Sequence, residues 1–105
     1  MVRVIADVTF SPVGTATPSV SRYVTAALAV LKRHPEVEYQ LHPMGTVLEG
    51  ERQDILRVVE EMNEAVFAAG ALRVGTTLRI DERRDKPASM QHKVDTVLRG
   101  LSAED

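Results

Sequence analysis

The sequence has no cysteine, which removes disulfides, thiolate metal sites and thiol nucleophiles together and leaves the redox compartment open. Aromatic residues are scarce, at 4%. An excess of charge is missing too: thirteen Lys and Arg against fifteen Asp and Glu give a formal net charge of -2. With no surplus positive charge to neutralise a phosphate backbone, nucleic-acid binding is not expected. No apolar run approaches the roughly 18 residues of a membrane span, and the first residues alternate where a secretory signal would run continuously apolar. A cytoplasmic protein that does not enter a membrane is therefore expected. What is present is a chain of 105 residues, 44% hydrophobic and 27% charged, the composition of a globular domain with one core. We read residues 1–105 as a single domain.

Val2, Val4, Ala6, Val8 and Phe10 alternate with Arg3, Ile5, Asp7 and Thr9, the period of a strand with one buried face. A stretch of turn formers follows, and Thr17-Pro18 has the form of an N-cap and first helical residue. Val20, Tyr23, Val24, Ala27, Leu28 and Leu31 then recur at helical spacing and stop before Pro35. Val37, Tyr39 and Leu41 alternate with Glu38, Gln40 and His42 as a second strand, and Thr46–Glu49 reads as a short third one closed by Gly50. Glu51 and Asp54 place negative charge at the start of a second helix whose stripe is Ile55, Val59, Met62 and Val66. Gly70 suits a left-handed C-terminal cap, and Val74, Thr76, Leu78 and Ile80 form a fourth strand. The charged run Asp81–Pro87 ends it. Ser89 is a good N-cap for a last helix with Met90, Val94, Val97, Leu98 and Leu101 along one side.

This order predicts the α+β class: a ferredoxin-like βαββαβ sandwich, four antiparallel strands with two helices on one face, and an additional C-terminal helix. The face away from the two helices carries Arg3, Ile5, Asp7 and Thr9, then Glu38, Gln40 and His42, then Thr77, Arg79 and Asp81. Glu49 joins them if Leu48 points inward. Mixed charges among Thr, Gln, Ile and His fit ordinary solvent exposure, a polar pocket or an oligomer interface. As acceptors, Asp7, Glu38 and Glu49 suit an amino-substituted or cationic heterocycle. The turns after strands one and two share Pro-x-Gly-Thr, in Pro12–Thr15 and Pro43–Thr46, and lie on one edge of the predicted sheet.

Other chemistries find little support. His34, His42 and His92 form no metal-ligand pattern, and no metal is expected. Ser11, Ser19 and Ser21 lack the setting of a nucleophile elbow, and Ser11–Thr15 is no Walker loop. In the run Asp81–Pro87 the acids nearly cancel Arg83, Arg84 and Lys86. The aromatics that RNA-recognition sheets use to stack bases are missing from the open face.

Four segments in order, Ser11–Thr15, Pro18–Ser21, Pro43–Gly50 and Ile80–Pro87, resemble the small thiamine-binding-protein family, over about residues 2 to 98. The resemblance implies a ferredoxin-like subunit whose sheets pair into dimers and then a homotetramer. It also implies non-catalytic binding of thiamine or its hydroxymethylpyrimidine moiety, with no cofactor besides that ligand. Motif positions available to the ligand are Pro12, Gly14, Met44, Gly45, Thr46, Glu49 and Arg83, although Gly14 and Gly45 also serve turn geometry. Thr46 and Glu49 are the expected hydrogen-bonding residues and Met44 the packing residue, with Asp7 added from the polar face. Two alternatives stay open: an oligomerisation module with no small ligand, and an enzyme acting on a thiamine precursor with Glu49 or Asp7 as general base.

Overall fold

A computed structural model describes residues 2–86 and 89–103; Pro87, which the charged run includes, lies outside them. The elements are β1 (Arg3–Pro12), α1 (Ser21–Leu31), β2 (Glu38–His42), β3 (Gly45–Glu51), α2 (Arg52–Ala68), β4 (Val74–Asp81) and α3 (Met90–Ala103). The strands form one antiparallel sheet in the order β2-β3-β1-β4, the ferredoxin-like plait that the sequence predicts. The core lies between its inner face and the two helices α1 and α2. Val4, Ala6 and Val8 of β1 and Leu48 of β3 meet Ala27, Val30 and Leu31 of α1 and Ile55, Val58, Met62 and Val66 of α2. Each fully buried Val, Leu, Ile or Met among them contributes roughly 1.5–3 kcal/mol, and the alanines less. Gly70 follows the C-cap of α2 with φ +117°, a backbone state that favours glycine.

The registers define three rows across the outer face. The first is Asp81, Ile5, Glu49 and Glu38; the second is Arg79, Asp7, Val47 and Gln40; the third carries Thr77, Thr9 and His42. The first turn of α3 lands on the first row. The backbone N–H of Met90 donates to Glu49 Oε1 at 2.7 Å, Lys93 Nζ donates to Asp81 Oδ2 at 2.5 Å, and Ile5 and Met90 become buried. Ser89 Oγ accepts from the N–H of His92 at 3.0 Å, the capping bond expected of it. Rows two and three stay uncovered.

Three expectations are corrected. First, α1 begins at Ser21: Thr17 Oγ1 accepts from the N–H of Ser19 in a local hydroxyl turn, so Thr17 and Pro18 precede the helix. Second, Tyr39 and Leu41 point to the helix side as their parity requires but stay 39% and 59% exposed, because β2 is an edge strand beyond the reach of both helices. Third, of the apolar stripe on α3 only Met90 is buried; Val94, Val97, Leu98 and Leu101 face solvent.

Candidate functional site

The second Pro-x-Gly-Thr turn, Pro43–Thr46, borders a cavity at one end of the sheet, and the first, Pro12–Thr15, lies outside its lining. Ser11 and Phe10 close β1 on one side of it, and the β2–β3 turn, His42-Pro43-Met44-Gly45, closes the other. Its roof is one side of α1 with the N-cap residue Val20, followed by Val24 and Leu28, and its floor is Val8, Thr46 and Met62. The volume is about 420 Å³, within the range of small-ligand sites. None of the lining residues is Asp, Glu, Lys or Arg. The wall is apolar, with hydroxyls from Thr9, Ser11 and Thr46 and one imidazole, His42. Thr46 is 6% exposed and sits opposite Val8 and Leu41 in the sheet, one of two buried polar side chains among the described residues.

Close backbone approach makes the turn narrow. A Cβ on Gly45 would stand 2.9 Å from Thr9 Cγ2 and 3.4 Å from the Val8 carbonyl oxygen, so only glycine lets β3 start this close to β1. Met44, at the tip, is 88% exposed. The same turn borders a shallower groove on the outer face, about 370 Å³, lined with Asp7, Thr9, Thr77 and Arg79 among others.

The sequence-predicted residues therefore divide. Met44, Gly45 and Thr46 come together at the cavity. Asp7 lies across the sheet, in the outer groove, where its Oδ2 accepts from Arg79 at 2.6 Å. That pairing raises the Arg79 pKa further above its usual value. Pro12 ends β1 opposite Val74, and Gly14, with φ +75°, sits in the loop beyond, so both reach the cavity only through Ser11. Glu49 lies under α3, 4% exposed, with Oε1 on the Met90 amide and Oε2 accepting from Arg3 at 2.6 Å. Arg83 follows β4 and clasps Asp85 through Nε at 2.5 Å and a terminal nitrogen at 2.9 Å, which holds the Asp85 carboxyl down at about 2. The face read as acid-bearing is thus internally paired: Arg79 with Asp7, Arg3 with Glu49 and, at 3.7 Å, with Glu38.

Sequence reasoning missed Phe10, Ser11, Val24, Leu28, Leu41 and Met62 as cavity residues. Periodicity assigns the apolar ones to the core and says nothing of space left beside them. The available signal was Thr46, a hydroxyl at an inward position of a central strand. Among the described residues no group of three or more His, Asp or Glu could hold a metal ion, and no helix is long and apolar enough to cross a membrane.

A family model described as thiamine-binding protein matches residues 6–98, from the middle of β1 into α3. The chain belongs to the thiamine-binding protein family. Among its relatives, the UPF0045 protein YqgV of Bacillus subtilis is 44% identical over 100 residues, covering 92% of this chain and 96% of that protein. The crystal structure of the hypothetical protein MJ1052 of Methanocaldococcus jannaschii superposes with a TM-score of 0.85 at 36% identity, over 92% of this chain and 97% of that one. A Bacillus cereus DUF77 domain superposes with a TM-score of 0.76 at 30% identity, over 88% and 86%. The matched span of the family contains every residue that lines the cavity.

Proposed function

We propose that the chain is a non-catalytic binder of thiamine or its hydroxymethylpyrimidine moiety, held in the cavity beneath α1. The observation that carries this reading is the cavity itself: it lies between the end of β1 and the Pro43–Thr46 turn, inside the span matched by the family. Its walls suit an uncharged aromatic ring bearing amino and ring-nitrogen groups. Phe10, Val24, Leu28 and Met44 offer apolar contact, and the hydroxyls of Ser11 and Thr46 offer donors and acceptors at fixed points. A charged or phosphorylated extension of the ring belongs at the mouth, since no side chain inside compensates it.

The absence of turnover in this reading is supported by the engagement of the two acids a catalytic mechanism would use, Asp7 with Arg79 and Glu49 with Arg3 and Met90. Neither lines the cavity. We further infer a cytoplasmic homo-oligomer, a dimer of dimers, supported by the uncovered outer rows of the sheet and the exposed stripe of α3. That stripe also favours a second reading, an oligomerisation module without a small ligand.

Titration calorimetry separates the two readings. Binding of hydroxymethylpyrimidine is expected, weakened about three- to tenfold in Thr46→Val, which keeps the side-chain shape and removes one hydroxyl hydrogen bond. No heat with either thiamine or hydroxymethylpyrimidine at millimolar concentration overturns the ligand reading and leaves the module. Conversion of the bound molecule, followed by NMR, overturns the non-catalytic one.

A further inference from the structure

Met44 stands in a place whose chemistry ligand packing does not exhaust. The chain has four methionines and no cysteine. Met62 and Met90 are buried, at 1% and 7% exposed, whereas Met44 is 88% exposed. Among the described residues Met44 therefore carries the one sulfur open to solvent. With Pro43 it forms a two-residue hairpin turn between His42 and Gly45, which pair across β2 and β3. The proline ring before it and the close approach of Gly45 to Thr9 after it hold the backbone, so the thioether moves on a fixed stem. Its side chain borders both the cavity beneath α1 and the shallower groove on the outer face. Met44 thus sits on the rim that the two spaces share.

We propose that Met44 is a reversible oxidation site, and that its conversion to the sulfoxide by hydrogen peroxide weakens ligand binding at the cavity. The step is an oxygen transfer. A lone pair on Sδ attacks one peroxide oxygen, and an S–O bond forms as the O–O bond breaks. The proton of the transferred hydroxyl goes to the departing hydroxide, which leaves as water. Sulfur loses two electrons and the peroxide gains them. Access decides which methionine reacts, since Met62 and Met90 become reachable only when the core opens locally. No thiol of the same chain competes for the oxidant. A methionine sulfoxide reductase reverses the step, with thiols supplying two electrons and the oxygen leaving as water.

The consequence for binding follows from the change in polarity. A thioether is apolar and polarizable and lies well against the edge of an aromatic ring. The sulfoxide is polar and a strong hydrogen-bond acceptor, so pressing it against a ring at the rim strips its water. The lining could repay that loss only with the hydroxyls of Thr9, Ser11 and Thr46 or the His42 imidazole, and each group so used is lost to the ligand. Met44 takes no part in the hydrophobic core, so oxidation alters the rim without loosening the fold. The effect on affinity rests on the cavity being the ligand site; the oxidation itself does not.

Peptide mass mapping after exposure of the folded chain to dilute hydrogen peroxide tests the modification. One added oxygen is expected on Met44 at least about tenfold faster than on Met62 or Met90. Comparable rates at all three, in a chain that circular dichroism shows to be folded, overturn the assignment. Saturating hydroxymethylpyrimidine is expected to slow oxidation of Met44, and an unchanged rate overturns its placement against the ligand. By calorimetry, hydroxymethylpyrimidine affinity is expected to fall about three- to tenfold on oxidation and to return after reductase treatment. Met44→Leu carries no sulfur there, so peroxide should leave its own affinity, whatever the starting value, unchanged. An equal loss in Met44→Leu, or full oxidation of Met44 with no loss in wild type, overturns the effect on binding. If wild type binds no hydroxymethylpyrimidine at all, the cavity reading fails, and the mass map still decides the oxidation site.

Discussion

Glu49→Ala should detach the first turn of α3 from the sheet. The carboxylate is 4% exposed and both oxygens are used, one by the Met90 amide and one by Arg3. The amide bond is made to an ionised, buried acceptor at a helix N-terminus, a setting in which one hydrogen bond contributes about 1.5–3 kcal/mol. Arg3 is 45% exposed, so water screens its share of the pair, which adds about 1 kcal/mol or less. Together these predict a loss of about 2–4 kcal/mol, or on the order of 10–20 °C in melting temperature for a domain of this size. Glu49→Gln keeps an acceptor for Met90 and gives up the charge toward Arg3, so its cost should be about 1 kcal/mol. The assay is urea unfolding at one fixed protein concentration, since self-association would shift the midpoint. Hydrogen exchange at the Met90 amide reports the same contact directly and should accelerate in Glu49→Ala and not in Glu49→Gln. A Glu49→Ala variant within about 0.5 kcal/mol of wild type, with that amide unprotected in both, would refute the argument. It would mean that α3 rests on the sheet through Met90 packing and the Lys93–Asp81 pair.

Two other outcomes follow from the core and from the surface charges. Leu48→Ala, fully buried in the central strand β3, should cost about 2–5 kcal/mol by equilibrium unfolding, while the neighbouring cavity keeps its hydroxyls. His34 bridges Glu61, through Nε2 at 2.6 Å, and Glu36, through Nδ1 at 3.0 Å, and these bonds raise its pKa above the ordinary 6.5. A raised folded-state pKa gives stability that is fully present below that ordinary value and is lost as pH rises through the raised one. The melting temperature of wild type should therefore fall more steeply from pH 6 to 9 than that of Glu61→Gln, and equal slopes would exclude the bridge.

Face assignment was legible in the sequence because side-chain parity in a strand is geometric. Leu48 inward places Glu49 outward, and the structure agrees. Coverage was not legible, because parity says which way a residue points and nothing about what stands above it. Tyr39 and Leu41 have inward parity on an edge strand that two helices do not reach, while Glu49 has outward parity and is buried by a helix. The anchoring partner of Glu49 is a backbone amide, which leaves no side-chain signature. At Thr17-Pro18 a local hydroxyl turn won over helix initiation, a competition that the dipeptide alone does not decide. The Pro43–Thr46 motif located one wall of the cavity because turns are specified locally by glycine and proline, whereas its volume depends on how far α1 stands from the sheet.

The structure separates two jobs that the sequence combined on one polar face. The outer face spends its carboxylates on arginines and on α3, so its charge is balanced before any ligand arrives, and a cationic ring there would have to displace Arg79 or Arg3. The inner end of the sheet holds the space, and its walls offer hydroxyls without charge. Selectivity in such a cavity comes from hydrogen-bond placement on a neutral ring. A cavity that selects this way discriminates strongly against analogues lacking a ring amino group and weakly against changes in the part of the ligand that stays at the mouth. Thiamine and hydroxymethylpyrimidine should therefore bind with similar affinity, and a pyrimidine stripped of its amino group should bind far more weakly than either.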